Sequence, residues 1–267
     1  MRIVVLVKHV PDARDAPTYT ADLTVDRTEA AGTLDPASGC AVEQAMRIAR
    51  LRIDVHVTVL TMGPRQAAHS LLAALALGAD DAVHVSDEAL HGSDALATSR
   101  VLAAAVRRTG FDLLLCGAAS GDSGMAVIPV MLAERLGVPA ICAADAVRAQ
   151  EDSIIGFCPG RSERERDEVR GELPALVSLT DRGTAPRTPS FPALAEARHK
   201  LMRRWNLADL ALDPAEAGLT GAACRVREVR DRRAEGPRVL DARADPAAAA
   251  RAVADFLADR DFVSGPA

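Results

Sequence analysis

Apolar residues along the chain fall into short continuous runs separated by longer stretches of helical period. Residues 2–7 (RIVVLV), 55–60, 82–85, 112–116 (DLLLC) and 140–143 each read as a short buried strand. Between them lie four helical patterns. Asp35-Pro36 is an acidic cap with proline in the first turn, and Ala41, Ala45, Ile48 and Ala49 follow on one face. Gly63-Pro64 turns into a helix through Leu77 that Gly78 stops. Gly92-Ser93-Asp94 caps a long helix through Arg108. Residues 126–136 form the fourth helix, ended by Gly137 as a C-terminal cap. Five strand–helix alternations predict an α/β fold: a doubly wound parallel sheet of the Rossmann-like kind. Residues 17–34, rich in Thr and Asp, interrupt it as an irregular or β-hairpin excursion.

The pattern changes after about residue 144. Residues 147–150, 154–157 and 175–179 look like strands, and the charge-dense run 161–170 between them reads as a solvated hairpin face. Residues 184–192 hold three prolines and must be extended. A helix over 193–204, Trp205, a linker, a strand-like 225–229 and a closing helix over 245–259 complete the chain. The expected organisation is a nucleotide-binding-type domain over 1–205, with residues 206–267 as a C-terminal arm.

Composition narrows the function classes. The chain has 267 residues, 49% hydrophobic and 3% aromatic, so its core must be mostly Ala, Val and Leu. A net charge of −5 argues against broad nucleic-acid binding. No apolar run approaches the length of a membrane span, and the first apolar run is too short for a signal peptide, which gives a cytoplasmic protein as the expectation. The five cysteines are far apart, with no metal spacing. The histidines and serines form no catalytic triad by spacing, so the chain is not expected to be an enzyme.

The stretch 111–139 carries the candidate chemistry. A buried strand runs into the small-residue loop 117–124 and then a helix start, which converges backbone N–H groups and a positive helix end on one point. That geometry suits a phosphate. An ordinary strand–helix turn has the same pattern, and neither GxGxxG nor GK[ST] is present.

Four blocks carry a resemblance: VLVKHVPD, LDPASGCAVEQAMRIAR, LTMGPRQAAHSLLAALALGADDAVHV and LPALVSLTDRGTAPRTPSFPALAEARHK. They are similar to the β subunits of electron transfer flavoproteins over nearly the whole chain. HGSDALATSRVLAAAV resembles the branch linked to nitrogen fixation and flavin-based bifurcation. The resemblance implies a heterodimer with an α subunit holding a redox-active FAD, on which the arm would pack. It also implies AMP, or a second FAD in bifurcating members, in a crevice of this chain. The matching positions are Leu6, Val7, Asp35, Ser38, Met62, Gly63, Asp94, Thr98, Asp122, Ser123, Gly124, Ala126, Val127 and Ile128. Residues 184–204 correspond to the family's recognition loop, which docks on dehydrogenases, with Phe191 as the apolar anchor.

Departures from the family pattern bear on the crevice. The Asn before proline is Asp35 here, and its following acid is Ser38. Where relatives read Thr-Ala-Gln-Val-Gly, this chain reads Met125-Ala126-Val127-Ile128-Pro129. A hydroxyl, an amide and a backbone donor are lost. Each lost hydrogen bond to a charged phosphate is worth about 1.5–3 kcal/mol, so together they cost about two to four decades of affinity. The expected nucleotide site is therefore weak or absent. Two alternatives share this kind of sheet: a universal-stress-type regulatory module that binds an adenine nucleotide, and an adenylating enzyme. The latter needs a pyrophosphate loop such as SGGxDS, and Ser120-Gly121-Asp122-Ser123-Gly124 sits in the wrong place for it.

Overall fold

A computed structural model describes residues 1–12, 18–26, 32–160, 165–230, 239–260 and 262. The chain divides into two units, residues 1–227 and 228–267.

In chain order the first unit holds β1 (Arg2–Leu6), β2 (His9–Pro11), β3 (Gly32–Leu34), α1 (Pro36–Leu51), β4 (His56–Met62) and α2 (Ala68–Ala76). Next come β5 (Asp81–Val85), α3 (Ala95–Thr109), β6 (Leu113–Gly117), α4 (Ile128–Leu136), β7 (Ala140–Ala144), β8 (Ala146–Ala149), β9 (Ser153–Pro159) and β10 (Arg166–Glu172). The unit closes with β11 (Ala175–Leu179), α5 (Phe191–Ala197), β12 (Met202–Trp205) and α6 (Gly218–Gly221).

Seven strands form one sheet in the order β12-β5-β4-β1-β6-β11-β7, with every neighbouring pair parallel. The doubly wound expectation holds. Alternate strand residues feed two cores, as a two-residue period on a sheet covered on both faces requires. Ile3, Val5, Val57, Val59, Leu113 and Leu115 pack with α1 and α2. Val4, Leu6, Leu60, Leu114 and Cys116 face the other way, against Val101, Leu102 and Val106 of α3 and Leu132 of α4. After β5 the chain crosses back over β1 to build β6, so the strand order reverses at β1. The connections after β1 and β6 then diverge to opposite faces and leave a crevice at their carboxyl ends.

Two small antiparallel sheets stand outside this frame. β2 pairs with β3, so the excursion returns as a hairpin-like ladder and Pro11 sits in a two-stranded edge. β8, β9 and β10 form a meander in which β10 is exposed apart from Gly171, so the charge-dense run is a solvated hairpin face as expected. Residues 161–164 of that run lie outside the described residues.

Three expected boundaries move. The helix expected from residue 126 starts at Ile128: Ala126 takes a left-handed backbone (φ 55°), and Pro129 occupies the first turn. The helix expected over 193–204 is shorter and earlier. Ser190 caps it, it spans Phe191–Ala197, and residues 202–205 become an edge strand beside β5. The reason is long-range. The Lys200 ammonium donates to Leu75 O (3.2 Å) and Ala79 O (2.8 Å) at the end of α2, and Arg203 pairs with Asp81 at 2.7 Å. These contacts pull the segment off helical geometry and onto the sheet. Residues 225–229, expected as a strand, have no regular structure.

Residues 206–227 belong to the first unit. Leu207 is 1% exposed and packs with Leu210 in the α3 core. The second unit holds α7 (Pro246–Ala258), which Asp245 caps by accepting from Ala248 N at 2.9 Å. Val253 and Phe256 on α7 are exposed.

Candidate functional site

The crevice at the switch point is assembled from three segments: the end of β1, the start of α1 and the loop after β6. Val7 is held between strands, its N–H donating to Leu60 O (2.9 Å) and its carbonyl accepting from Thr61 Oγ1 (2.7 Å). Leu6 is buried beneath it. Gly117 ends β6 close against α1, where a Cβ would lie 3.0 Å from the Cβ of Ala37. A side chain there would press on the start of α1, so glycine suits the close approach.

Asp35 and Ser38 join the three segments. The Asp35 carboxylate caps α1, Oδ2 accepting from Ser38 N (3.0 Å) and from Ser38 Oγ (3.1 Å). Ser38 Oγ in turn accepts from Lys8 N at 3.2 Å. The other carboxylate oxygen, Oδ1, accepts from Gly121 N of the loop at 2.8 Å. Asp35 is 2% exposed, so its charge rests on these donors.

The loop is organised around Lys8. Its ammonium donates to Asp122 Oδ1 (2.6 Å), Ser120 Oγ (3.0 Å) and Ser123 Oγ (3.3 Å). The Asp122 side chain is 7% exposed, so this ion pair lies in the crevice wall rather than on open surface. Gly124 N donates back to Ser120 O and closes the turn. Ala126 is exposed, and Val127 and Ile128 are partly buried at the start of α4. Lys8 and Ser120 were not among the expected site residues. Lys8 stands in the block VLVKHVPD at the end of β1, but its meeting with the loop spans 114 residues of chain.

The structure therefore brings Leu6, Val7, Asp35, Ser38, Asp122 and Ser123 together, with Gly124 closing the turn. Met62 and Gly63 lie at the end of the adjacent β4. Gly63 N donates to Val85 O at 3.0 Å, and Gly63 O accepts from His84 Nε2 at 3.1 Å. Burial pushes His84 below the usual imidazole value, so it sits neutral. Asp94 and Thr98 start α3. Asp94 Oδ1 accepts from Ala97 N, while Oδ2 accepts from Ala223 N and Cys224 N, each at 2.9 Å. Asp94 is thus a clamp on the chain's later segment. Burial would raise its carboxyl, but the donated N–H groups outweigh burial and hold it below the usual range.

A phosphate fits this arrangement poorly. The Lys8 ammonium is paired with Asp122, and the amides of Ser38 and Gly121 already serve Asp35. Pro129 contributes no donor at the α4 terminus. Among the described residues no group of His, Cys, Asp and Glu could hold a metal ion. Among the described residues no helix is long and apolar enough to cross a membrane.

Comparison with known proteins gives this geometry a family. A model of the electron transfer flavoprotein domain matches residues 22–210. The chain is 36% identical over 234 residues to the electron transfer flavoprotein subunit beta of Mycobacterium leprae, covering 84% of this chain and 86% of that protein. It is 31% identical over 236 residues to the subunit of the same name from Clostridium acetobutylicum, covering 88% and 90%. It is 31% identical over 227 residues to caffeyl-CoA reductase-Etf complex subunit CarD of Acetobacterium woodii, covering 85% and 86%. These likenesses carry the electron-transfer reading over the universal-stress-type alternative. With a parallel sheet switching at β1 and a family match across that sheet, the chain belongs to the electron transfer flavoproteins, among their β subunits.

Proposed function

We propose that this chain pairs with an α subunit that holds FAD, and that the heterodimer carries electrons between dehydrogenases and a respiratory or other redox acceptor. The flavin supplies the electron chemistry. This chain's residues shape the surfaces and the crevice around it. The observation that carries the reading is the family match across residues 22–210.

Two surfaces support the partner assignments. Phe191 is 89% exposed on α5, with Leu194 exposed beside it, and Ser190 Oγ accepts from Ala193 N to fix the first turn. A rigid helix offering a bare aromatic ring suits an apolar anchor for a dehydrogenase. The exposed Val253 and Phe256 of α7 suit burial on the α subunit, with the arm confined to the second unit, residues 228–267, rather than starting at 206. The crevice would hold AMP or a second FAD only weakly, because its donors serve the chain's own carboxylates.

The test is to coexpress the chain with an α-type subunit, purify the heterodimer, and quantify FAD and AMP after acid extraction. One FAD per dimer with AMP far below one is expected. Failure to form a flavin-bearing dimer refutes the pairing. One AMP or a second FAD at full occupancy refutes the weak crevice.

A further inference from the structure

We infer that Asp35 is the resident anion of the crevice, and that its carboxylate, together with the Asp122–Lys8 pair, sets the discrimination against nucleotide phosphates. The inference rests on the weak-crevice reading above and names the residues responsible. Asp35 bridges the first turn of α1 and the loop after β6, taking Ser38 N and Ser38 Oγ on one oxygen and Gly121 N on the other. Those are the donors that converge on the crevice from its two walls. An incoming phosphate that takes these donors pulls Gly121 N away from Asp35 or parts Asp122 from Lys8. Either exchange leaves a nearly buried carboxylate short of donors beside a second anion.

An amide at the same position reverses this logic. The side-chain oxygen of an asparagine still caps α1 through Ser38 N. Its NH₂ group then stands where Asp35 Oδ1 now accepts, facing the N–H of Gly121. Two donors are left pointing into one gap, which an acceptor oxygen from a phosphate fills. The local charge also rises by one. Position 35 thus switches the crevice from self-satisfied to anion-accepting without altering the helix cap.

The experiment measures AMP and adenosine binding to the purified heterodimer by equilibrium dialysis, for the wild type, Asp35→Asn and Asp35→Ser. Asp35→Asn should bind AMP about 10- to 100-fold more tightly, the worth of one or two hydrogen bonds to a charged group. Asp35→Ser, which keeps a capping oxygen without the charge, should gain less. Adenosine, which has no phosphate, should bind all three alike. If Asp35→Asn and wild type bind AMP equally weakly, the inference is overturned while the weak crevice stands. If wild type already binds AMP tightly, the underlying reading fails instead. Should Asp35→Asn not fold, Asp122→Asn removes the other carboxylate and releases Lys8 from that ion pair. It should also tighten AMP, and no gain there overturns the inference.

Discussion

Replacing Asp94 by alanine should destabilise the first unit by about 2–3 kcal/mol, and the figure can be assembled from the contacts. Loss of the α3 cap to Ala97 N costs about 1 kcal/mol. The bonds from Ala223 N and Cys224 N end on a charged acceptor, but both residues lie near solvent, so each contributes about 0.5–1 kcal/mol. At about 2–4 °C per kcal/mol, the melting temperature should fall by about 4–12 °C. Asp94→Asn keeps an oxygen for the cap and should lose about half as much. The effect also has a pH sign. The folded carboxyl is held below its ordinary value, so its stabilisation is fully present above the unfolded value of about 3.9 and is lost as pH falls through the folded value. Urea melts of wild type and Asp94→Ala should therefore differ at pH 7 and converge as pH falls through the lowered folded value. Hydrogen exchange should show Ala223 and Cys224 amides newly exposed in the variant. A loss under about 0.5 kcal/mol, with those amides still protected, would show that the clamp holds nothing.

Other substitutions separate packing from docking. Leu207→Ala empties a fully buried position in the α3 core and should cost about 2–5 kcal/mol in urea unfolding; a loss below about 1 kcal/mol would detach residues 206–212 from that core. Phe191→Ala should leave folding unchanged within about 0.5 kcal/mol because the ring is bare, yet slow electron transfer from a partner dehydrogenase at least about tenfold. An unfolded variant, or an unchanged transfer rate, would remove Phe191 as the anchor. Cys142 and Cys224 are exposed and should react with a thiol reagent in the native state, whereas burial pushes the Cys116 thiol up to about 12 and should protect it until unfolding. Native labelling of Cys116, read by mass spectrometry, would contradict that burial.

What could be read from the chain was set by how local its cause is. Strand runs such as RIVVLV and DLLLC are buried on both faces, so their apolar continuity survives into the sheet unchanged. Asp35, Asp94 and Asp245 each cap a helix through their own side chain within three residues, and acid–proline spacing marks two of them. The edge strand at 202–205 is not legible in the local sequence because its cause is distant: Lys200 reaches carbonyls more than 120 residues earlier in the chain. The same limit applied to the site. The family pattern named Asp35 and Asp122, but not that one would serve Gly121 and the other Lys8, since those contacts span 86 and 114 residues. Spacing along a chain carries no information on which donor a carboxylate meets across a crevice.

Helix α1 links the crevice and the proline-rich segment more closely than either pattern implied. Its first turn carries Asp35 and Ser38 against the β6 loop. Two turns later, Glu43 is buried between Arg50 at 2.8 Å and Arg187 at 3.3 Å, and Arg47 donates to Thr184 Oγ1 at 2.6 Å. Burial would raise the Glu43 carboxyl, but the two guanidinium groups outweigh burial and hold it below the usual range, so it stays charged. The extended segment leading to Phe191 is thereby pinned at residues 184 and 187 to the helix whose start walls the crevice. A proline-rich segment has little backbone freedom to lose, so two pins are enough to fix where α5 begins. The Phe191 ring is therefore presented from a braced position rather than from a loose loop, and the brace is a buried carboxylate bonded to both arginines.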